Sequence, residues 1–390
     1  MRITDDTLKY VSDVLADRME EVTLYMLRKL AKRLKATGEL GSSHTIYAMA
    51  DVGADLDDIT AYLAAATGKN IAEVQLAMQR IAKGAYSDTA AYFKATGRTQ
   101  VPFKDNTKLQ NIIKAQGRLT AQTYQNISRS TVIRLTDARG NVTPTPLGTA
   151  YRKAIDEAAT ALNAGISNYD DLIARTLNQF AGSGICSVEY ESGLTRDIYS
   201  ATRLNTLEGC RQVNMQIREE LGEEFGADGV EITTHGMCAP DHLKIQGRQF
   251  ASGWNDVTVD GKKYKSYEKM NASLDRQIGT CNCQHSTYPI VLGVNAPNHT
   301  SAQLKRIEQS NEAKSVTIDG KNYTKYEASQ IMRKLETAMR KEKRKIAAFS
   351  AAGDPQRERE AKTRLRQLQQ KYRQVSKDSG LAKDYTRTRV

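Results

Sequence analysis

Leu8, Val11, Leu15, Met19, Val22, Met26 and Leu30 recur every three or four residues, which lays them along one side of a helix. Thr4 or Asp5 is placed to cap its start, and Gly38 to end it. A helix of about 30 residues is long for an ordinary globular core, so two roles stay open: a docking arm, or a core member of a bundle. After a break at Gly41-Ser-Ser, Asn70-Ile-Ala-Glu73 reads as a capping-box variant opening a helix to about Lys83. Helical tendency continues through 86–95 and 105–128. The stretch from Asp137 to Pro146 holds two prolines and an Arg-Gly-Asn turn signal and reads as a loop. Two short helices follow, separated by Gly165. Tyr151, Ile155, Ala158 and Leu162 share a face of the first, and Ile173, Leu177 and Phe180 a face of the second. Gly182-Ser-Gly184 closes this half.

From Cys186 the pattern changes. A helix is expected from about Leu194 to Leu221, then a short alternating strand at Val230-Glu-Ile-Thr-Thr. Loops and short strands rich in Cys, His and Gly fill 235–296. A last helical hairpin spans about 324–378, broken at Gly353-Asp-Pro355, because proline cannot continue a helix interior. One segment is repeated: Val257-Thr-Val-Asp-Gly-Lys-Lys-Tyr264-Lys-Ser-Tyr267-Glu268 returns as Val316-Thr-Ile-Asp-Gly-Lys-Asn-Tyr323-Thr-Lys-Tyr326-Glu327. Each copy predicts a tight β-hairpin with Asp-Gly in a type I′ turn, handing the chain into a helix. Two copies are too few for a solenoid.

These elements predict an α+β chain, mostly α: a helical N-terminal half, a small Cys/His-containing α+β core domain and a C-terminal basic helical hairpin. The expected division is a helical region and candidate docking arm at 1–140, a helical connector at 141–230, the Cys/His core domain at 231–300, and a β-hairpin with the basic helical hairpin at 301–390.

With 390 residues, 39% of them hydrophobic, the chain can bury two or three cores. It holds no apolar run near the roughly 20 residues that span a bilayer. The opening Met1-Arg-Ile-Thr-Asp-Asp lacks the apolar stretch and cleavage site of a signal peptide. A protein made and kept in a cytoplasm, with no membrane partner, is expected. Five cysteines (Cys186, Cys210, Cys238, Cys281, Cys283) in so long a chain do not make a disulfide scaffold.

The net charge of +12 is uneven, since residues 340–390 hold sixteen Lys/Arg against six Asp/Glu. Such a block points to a polyanion, most simply nucleic acid, or to a solvated helix surface; charge alone does not choose. The candidate DNA contacts are Arg340, Lys341, Lys343, Arg344, Lys345, Arg357, Arg359, Lys362, Arg364, Arg366, Lys371 and Arg373. Aromatic interleaving is thin (Phe349, Tyr372, Tyr385), so any contact should be backbone-led, salt-sensitive and indifferent to sequence.

The densest chemistry is Cys238-Ala-Pro-Asp-His242 followed by Cys281-Asn-Cys283-Gln-His285, with His235 just upstream. Zinc favours four N/S donors in a tetrahedron, often as two close pairs joined by the fold. Cys238 with His242 and Cys283 with His285 make such a set, and Cys281 and His235 are substitutes. Two other readings remain: buried hydrogen-bonded side chains fixing a loop-rich core, or a Cys–His nucleophilic pair, which needs an orienting group that no local motif supplies. Gly182-Ser-Gly184 lacks the Lys-Ser/Thr of a P-loop and the spacing of a Rossmann turn. No small-molecule substrate is expected.

At these residues the chain resembles the phage minor capsid protein 2 family, itself similar to the Mu F-like head morphogenesis proteins. The likeness rests on His235-Gly-Met-Cys238-Ala-Pro-Asp-His242, Gln246-Gly-Arg-Gln-Phe250 and Cys281-Asn-Cys283-Gln-His285-Ser-Thr-Tyr-Pro-Ile290. Tyr199 and Arg203-Leu-Asn205-Thr206 resemble the helix entering the family's core domain, and Tyr323-x-x-Tyr-Glu with the basic hairpin its C-terminal extension. The resemblance covers about 150–390. It implies a structural protein and not an enzyme, encoded near the portal and packaged in few copies. Its implied partners are the portal or the major capsid protein and packaged double-stranded DNA, in a phage head after assembly in a host cytoplasm. Two rivals stand beside it: a zinc-dependent or ADP-ribosyltransferase-like enzyme delivered with the virion, and a free nucleic-acid-binding protein.

Overall fold

A computed structural model describes residues 5–39, 45–164, 168–189, 192–280 and 283–390. Thr4, Gly41-Ser-Ser, Gly165 and Cys281 lie outside the described residues. The chain is α+β and mostly α, in two compact units, each drawn from three separated stretches. One takes the chain through Ser12, Ala72–Ala121 and Leu204–Gln330; the other takes Asp13–Ile71, Gln122–Arg203 and Ile331–Val390. The chain passes between them five times.

The helices in chain order begin with α1 (Asp5–Glu39), α2 (Thr45–Ala95) and α3 (Thr107–Arg129). In the second unit the expected stripe of α1 is buried from Leu15 to Leu30, and Leu27, Ala31 and Leu34 join it. They pack with Val52, Leu56, Ile59 and Leu63 of α2. The candidate docking arm is therefore a core helix, with its apolar face already covered. Asn70 opens no helix, for α2 runs unbroken through it. Its side chain is held by tertiary partners, Nδ2 donating to the Leu15 carbonyl at 3.0 Å and Oδ1 accepting from Arg18 at 2.6 Å.

The same unit holds an antiparallel sheet of order β2-β1-β3-β4, made of β1 (Thr131–Thr136), β2 (Val142–Pro146), β3 (Cys186–Val188) and β4 (Thr195–Asp197). The loop expected up to Pro146 is half strand. Its two prolines are tolerated because β2 lies at a sheet edge, where a missing N–H costs no inner bond. Two further helices, α4 (Leu147–Asn163) and α5 (Tyr169–Ser183), bury Tyr151, Ile155, Ala158, Leu177 and Phe180 in this core. Residues 195–197, expected as helix, form β4 instead, and α6 (Ile198–Phe225) follows.

In the first unit a second antiparallel sheet has order β6-β5-β9, made of β5 (Gly229–Ile232), β6 (Gln249–Ala251) and β9 (Thr287–Ile290). The repeated segment gives hairpin β7 (Val257–Val259) with β8 (Lys262–Tyr264) before helix α7 (Tyr267–Ala272). Helix α8 (Ser301–Glu312) precedes the second copy, β10 (Val316–Ile318) with β11 (Lys321–Tyr323), which leads into α9 (Lys325–Ala352). Both turns have the two positive φ angles of type I′, 48° and 77° at Asp260-Gly261, 50° and 75° at Asp319-Gly320. Ser266 caps α7, and Thr324 and Glu327 form a reciprocal cap on α9. A Cβ at Gly320 would meet nothing within 4 Å, so Gly320→Ala should cost only the left-handed backbone penalty, about 1 kcal/mol, read as a lower urea midpoint at unchanged slope.

The last helix, α10 (Pro355–Ser379), starts at a cap made by Asp354, after Gly353 turns the chain at φ 70°. The basic helical hairpin is thus as expected. Two of its cations are not on the surface. Arg344 of α9 is fully buried, its guanidinium forked onto both carboxylate oxygens of Glu20 and bonded to Asp197 at 2.7 Å. Gly184, at φ 62°, packs so tightly against that guanidinium that a Cβ there would collide with it.

Candidate metal centre

Antiparallel pairing decides where the thiols and imidazoles meet. Ile232 at the end of β5 faces Thr287 at the start of β9, and Glu231 faces Gln249 at the start of β6. Residues 233–248, which leave β5 and return as β6, therefore open from the same sheet end as the segment entering β9. The two are laced by the Thr233 amide donating to the Ser286 carbonyl at 3.0 Å, and by the Ser286 amide donating to Thr233 Oγ1 at 3.0 Å. His235, Cys238 and His242, the last in a 3-10 turn at Pro240–His242, thus face Cys283 and His285.

Five expected side chains come together, in two overlapping triples that share His285. His242, Cys283 and His285 form one; His235, Cys238 and His285 form the other, the donor atoms of each lying within 4.8 Å of one another. In the first, Cys283 Sγ is 3.4 Å from His242 Nδ1 and 3.4 Å from His285 Nδ1. Two donors on one tetrahedral zinc, with bonds of about 2.3 and 2.0 Å, stand about 3.5 Å apart. Cys238 lies across His285, its Sγ 3.7 Å from Nε2 and donating to the Ala239 carbonyl at 3.2 Å. His235 packs against the same ring at a tilt of 40°, centroids 4.3 Å apart.

Cys238, His242, Cys283 and His285 are between 0% and 3% exposed. Neighbours orient both rings of the first triple. His242 Nε2 sits 2.6 Å from the Arg276 carbonyl and donates to it, which turns Nδ1 toward Cys283. Arg276 is itself clamped by a two-pronged pair with Asp241, at 3.1 and 2.8 Å. His285 Nε2 lies 3.4 Å from Gln246 Oε1, which also accepts from the His235 amide at 3.1 Å. Fixing imidazoles through their second nitrogen is how proteins hold metal-ligating histidines.

The electrostatics suit donors. Burial pushes the Cys283 thiol up, but hydrogen bonds from His242 and from the Gly279 and His285 backbone outweigh it and hold it below the ordinary thiol value. Burial drives His285 down to about 3, helped by the nearby charges of His235, His242 and Arg276, so it is a neutral imidazole. For His242 burial lowers the pKa, while bonds to Cys283 and the Arg276 carbonyl raise it and prevail. Cys238 differs: burial first, then Asp241 and Cys283, push it up to about 12. A thiol held below its ordinary value beside a neutral imidazole suits metal binding.

The charge count misplaced part of the proposed DNA surface. Arg344 is buried in its carboxylate fork, and Arg340 is buried over the Tyr199 ring at 4.1 Å, donating to the Arg387 carbonyl at 2.7 Å. Neither can meet a phosphate. Lys343 donates to the Thr388 carbonyl, Lys345 pairs with Glu342 at 2.8 Å, and Arg357 pairs with Asp354 at 2.8 Å and with Asp171. Lys341 and Lys371 are half-buried, whereas Arg359, Lys362, Arg364, Arg366 and Arg373 are exposed. Sequence reasoning missed Gln246 and Arg276, which act through a side-chain oxygen and a main-chain carbonyl that no donor-spacing motif marks.

No helix among the described residues is long and apolar enough to cross a membrane. A family model described as phage minor capsid protein 2 matches residues 3–376. No curated protein and no solved structure matches.

Proposed function

The chain belongs to the phage minor capsid protein 2 family, and from that premise we propose that it is a structural component of the phage head, present in few copies near the portal, that works by binding neighbours. The portal or the major capsid protein is its protein partner, and packaged duplex DNA meets its basic C-terminal hairpin without regard to sequence. It assembles in the host cytoplasm and stays in the virion. A zinc ion at this site would be held by His242, Cys283 and His285 and would clamp the sheet end, with Cys238 across His285 as a further candidate donor.

What supports a structural role over catalysis is the burial of every donor. Structural zinc sites are closed, whereas a catalytic ion keeps a position open to substrate. The Cys283–His242 contact, with the ring oriented by the Arg276 carbonyl, also has the layout of a nucleophilic pair. Cys283 at 2% exposure gives that pair no access to a substrate.

Quantitative mass spectrometry of purified virions tests the head assignment. The chain should be present at far fewer copies than the major capsid protein. Mature particles without it would remove the reading.

A further inference from the structure

On α10, Arg359, Lys362, Arg366, Arg373 and Lys377 follow one another at steps of three, four, seven and four residues. At 3.6 residues per turn they all fall within about 60° of one another around the helix. At 1.5 Å per residue the row is about 27 Å long. All five are exposed, and so are Thr363 and Gln370, which fill the same strip. Lys362 pairs with Glu358 at 2.5 Å. Arg359, Arg366, Arg373 and Lys377 have no ion-pair partner among the described residues. Arg364, bonded to Gln367 at 3.2 Å, points away on another flank.

This differs from α9, where Arg340, Lys343, Arg344 and Lys345 are spent on the Arg387 and Thr388 carbonyls, Glu20, Asp197 and Glu342. It differs also from a protein-docking helix. No apolar or aromatic residue lies on the strip: Leu365 and Leu368 are half-buried on other faces, and Ala361, Tyr372 and Val375 are buried. A coiled-coil partner needs an apolar seam, and most protein interfaces need an aromatic or aliphatic anchor. A row of cations separated only by Thr and Gln, both able to hydrogen-bond phosphate oxygens, suits a regular line of phosphates. The lack of stacking groups makes the contact blind to base sequence.

We propose that this one face of α10, and not the basic hairpin as a whole, is a phosphate-tracking strip for duplex DNA. It narrows the DNA contact named above to five residues, adding Lys377 and leaving out α9. It rests on that reading for the identity of the polyanion alone.

The test is fluorescence anisotropy of a short random-sequence duplex with the full chain, across about 50–200 mM salt. Four to five neutralised phosphates should give a log–log slope of about −4. The variant Arg359→Gln/Arg366→Gln/Arg373→Gln should lower that slope by about 3, with the melting curve unchanged. The control Arg364→Gln/Lys383→Gln, two exposed cations off the strip, should keep the wild-type slope. A wild-type slope in the triple variant, or equal loss in the control, would overturn the strip. Displacement of the duplex by poly-glutamate as readily as by competitor DNA would assign the strip to an acidic protein and likewise overturn the proposal. No binding by the wild-type chain at the lowest salt would overturn it too, while the virion measurement would still stand on its own.

Discussion

Cys283→Ser is expected to empty the metal centre and to cost about 4 kcal/mol, the scale at which loss of a bound metal stands out among point changes. Among the described residues Cys283 Sγ is the one donor within 3.4 Å of both His242 Nδ1 and His285 Nδ1, so its removal takes away the shared corner of the triple. The damage should stay near the end of the β6-β5-β9 sheet, because Cys283 also packs with Ile232, Phe250 and Ile278. Cys238→Ser should retain more metal, since that sulfur stands across His285 and has the Ala239 carbonyl as an alternative partner. Elemental analysis of purified protein, together with thermal melts before and after a chelator, reads both effects. Cys283 should resist alkylation in the native protein and react once the chelator is added. A wild-type chain that carries no metal, melts identically with chelator and keeps Cys283 unreactive would reduce the cluster to buried hydrogen-bonding side chains.

The second large effect is expected at Arg344. Arg344→Ala leaves Glu20 and Asp197 without their shared cation and should cost about 3–5 kcal/mol. Replacing the cation and both carboxylates together by apolar residues of similar volume should cost much less, since the penalty lies in the uncompensated charge. Urea unfolding separates the cases through the midpoint at unchanged slope. The wild-type contribution also depends on pH. Burial would raise the Asp197 pKa, but the Arg344 and Arg340 guanidiniums outweigh it and hold the carboxyl below its ordinary value. A lowered carboxylate gives its full stability above the unfolded value of about 3.9 and loses it as pH falls further. The gap between wild type and Arg344→Ala should narrow below about pH 4. A gap that is flat or widens there would show that Asp197 is not the charge Arg344 serves.

Local chemistry was legible wherever it decided the outcome. Asp260-Gly261 and Asp319-Gly320 force positive φ at adjacent residues, so both hairpins could be read from two letters each. The stripe of α1 was equally plain, though not that other helices cover it. Asn70 misled because a helix cap and a mid-helix asparagine tied to Leu15 and Arg18 carry the same local pattern, and only distant partners tell them apart. The strand at Val142–Pro146 was hidden by prolines that an edge position tolerates. The thiols and imidazoles were recognisable as donors, and the fold does bring them together. Which ring nitrogen faces which sulfur was not readable, because Arg276 and Gln246 set it from elsewhere in the loops. Arg340 and Arg344 were counted among surface cations because a charge tally holds no record of depth.

Glu20 and Arg344 are 324 positions apart, yet they bond directly inside one compact unit. Chains emerge from the ribosome N-terminus first, and contacts between remote positions form late. While the chain is being made, α1 and β4 hold carboxylates whose counter-charge does not yet exist, so this unit closes only after α9 has been translated. A product cut short before α9 retains two stranded anions in what should be its interior.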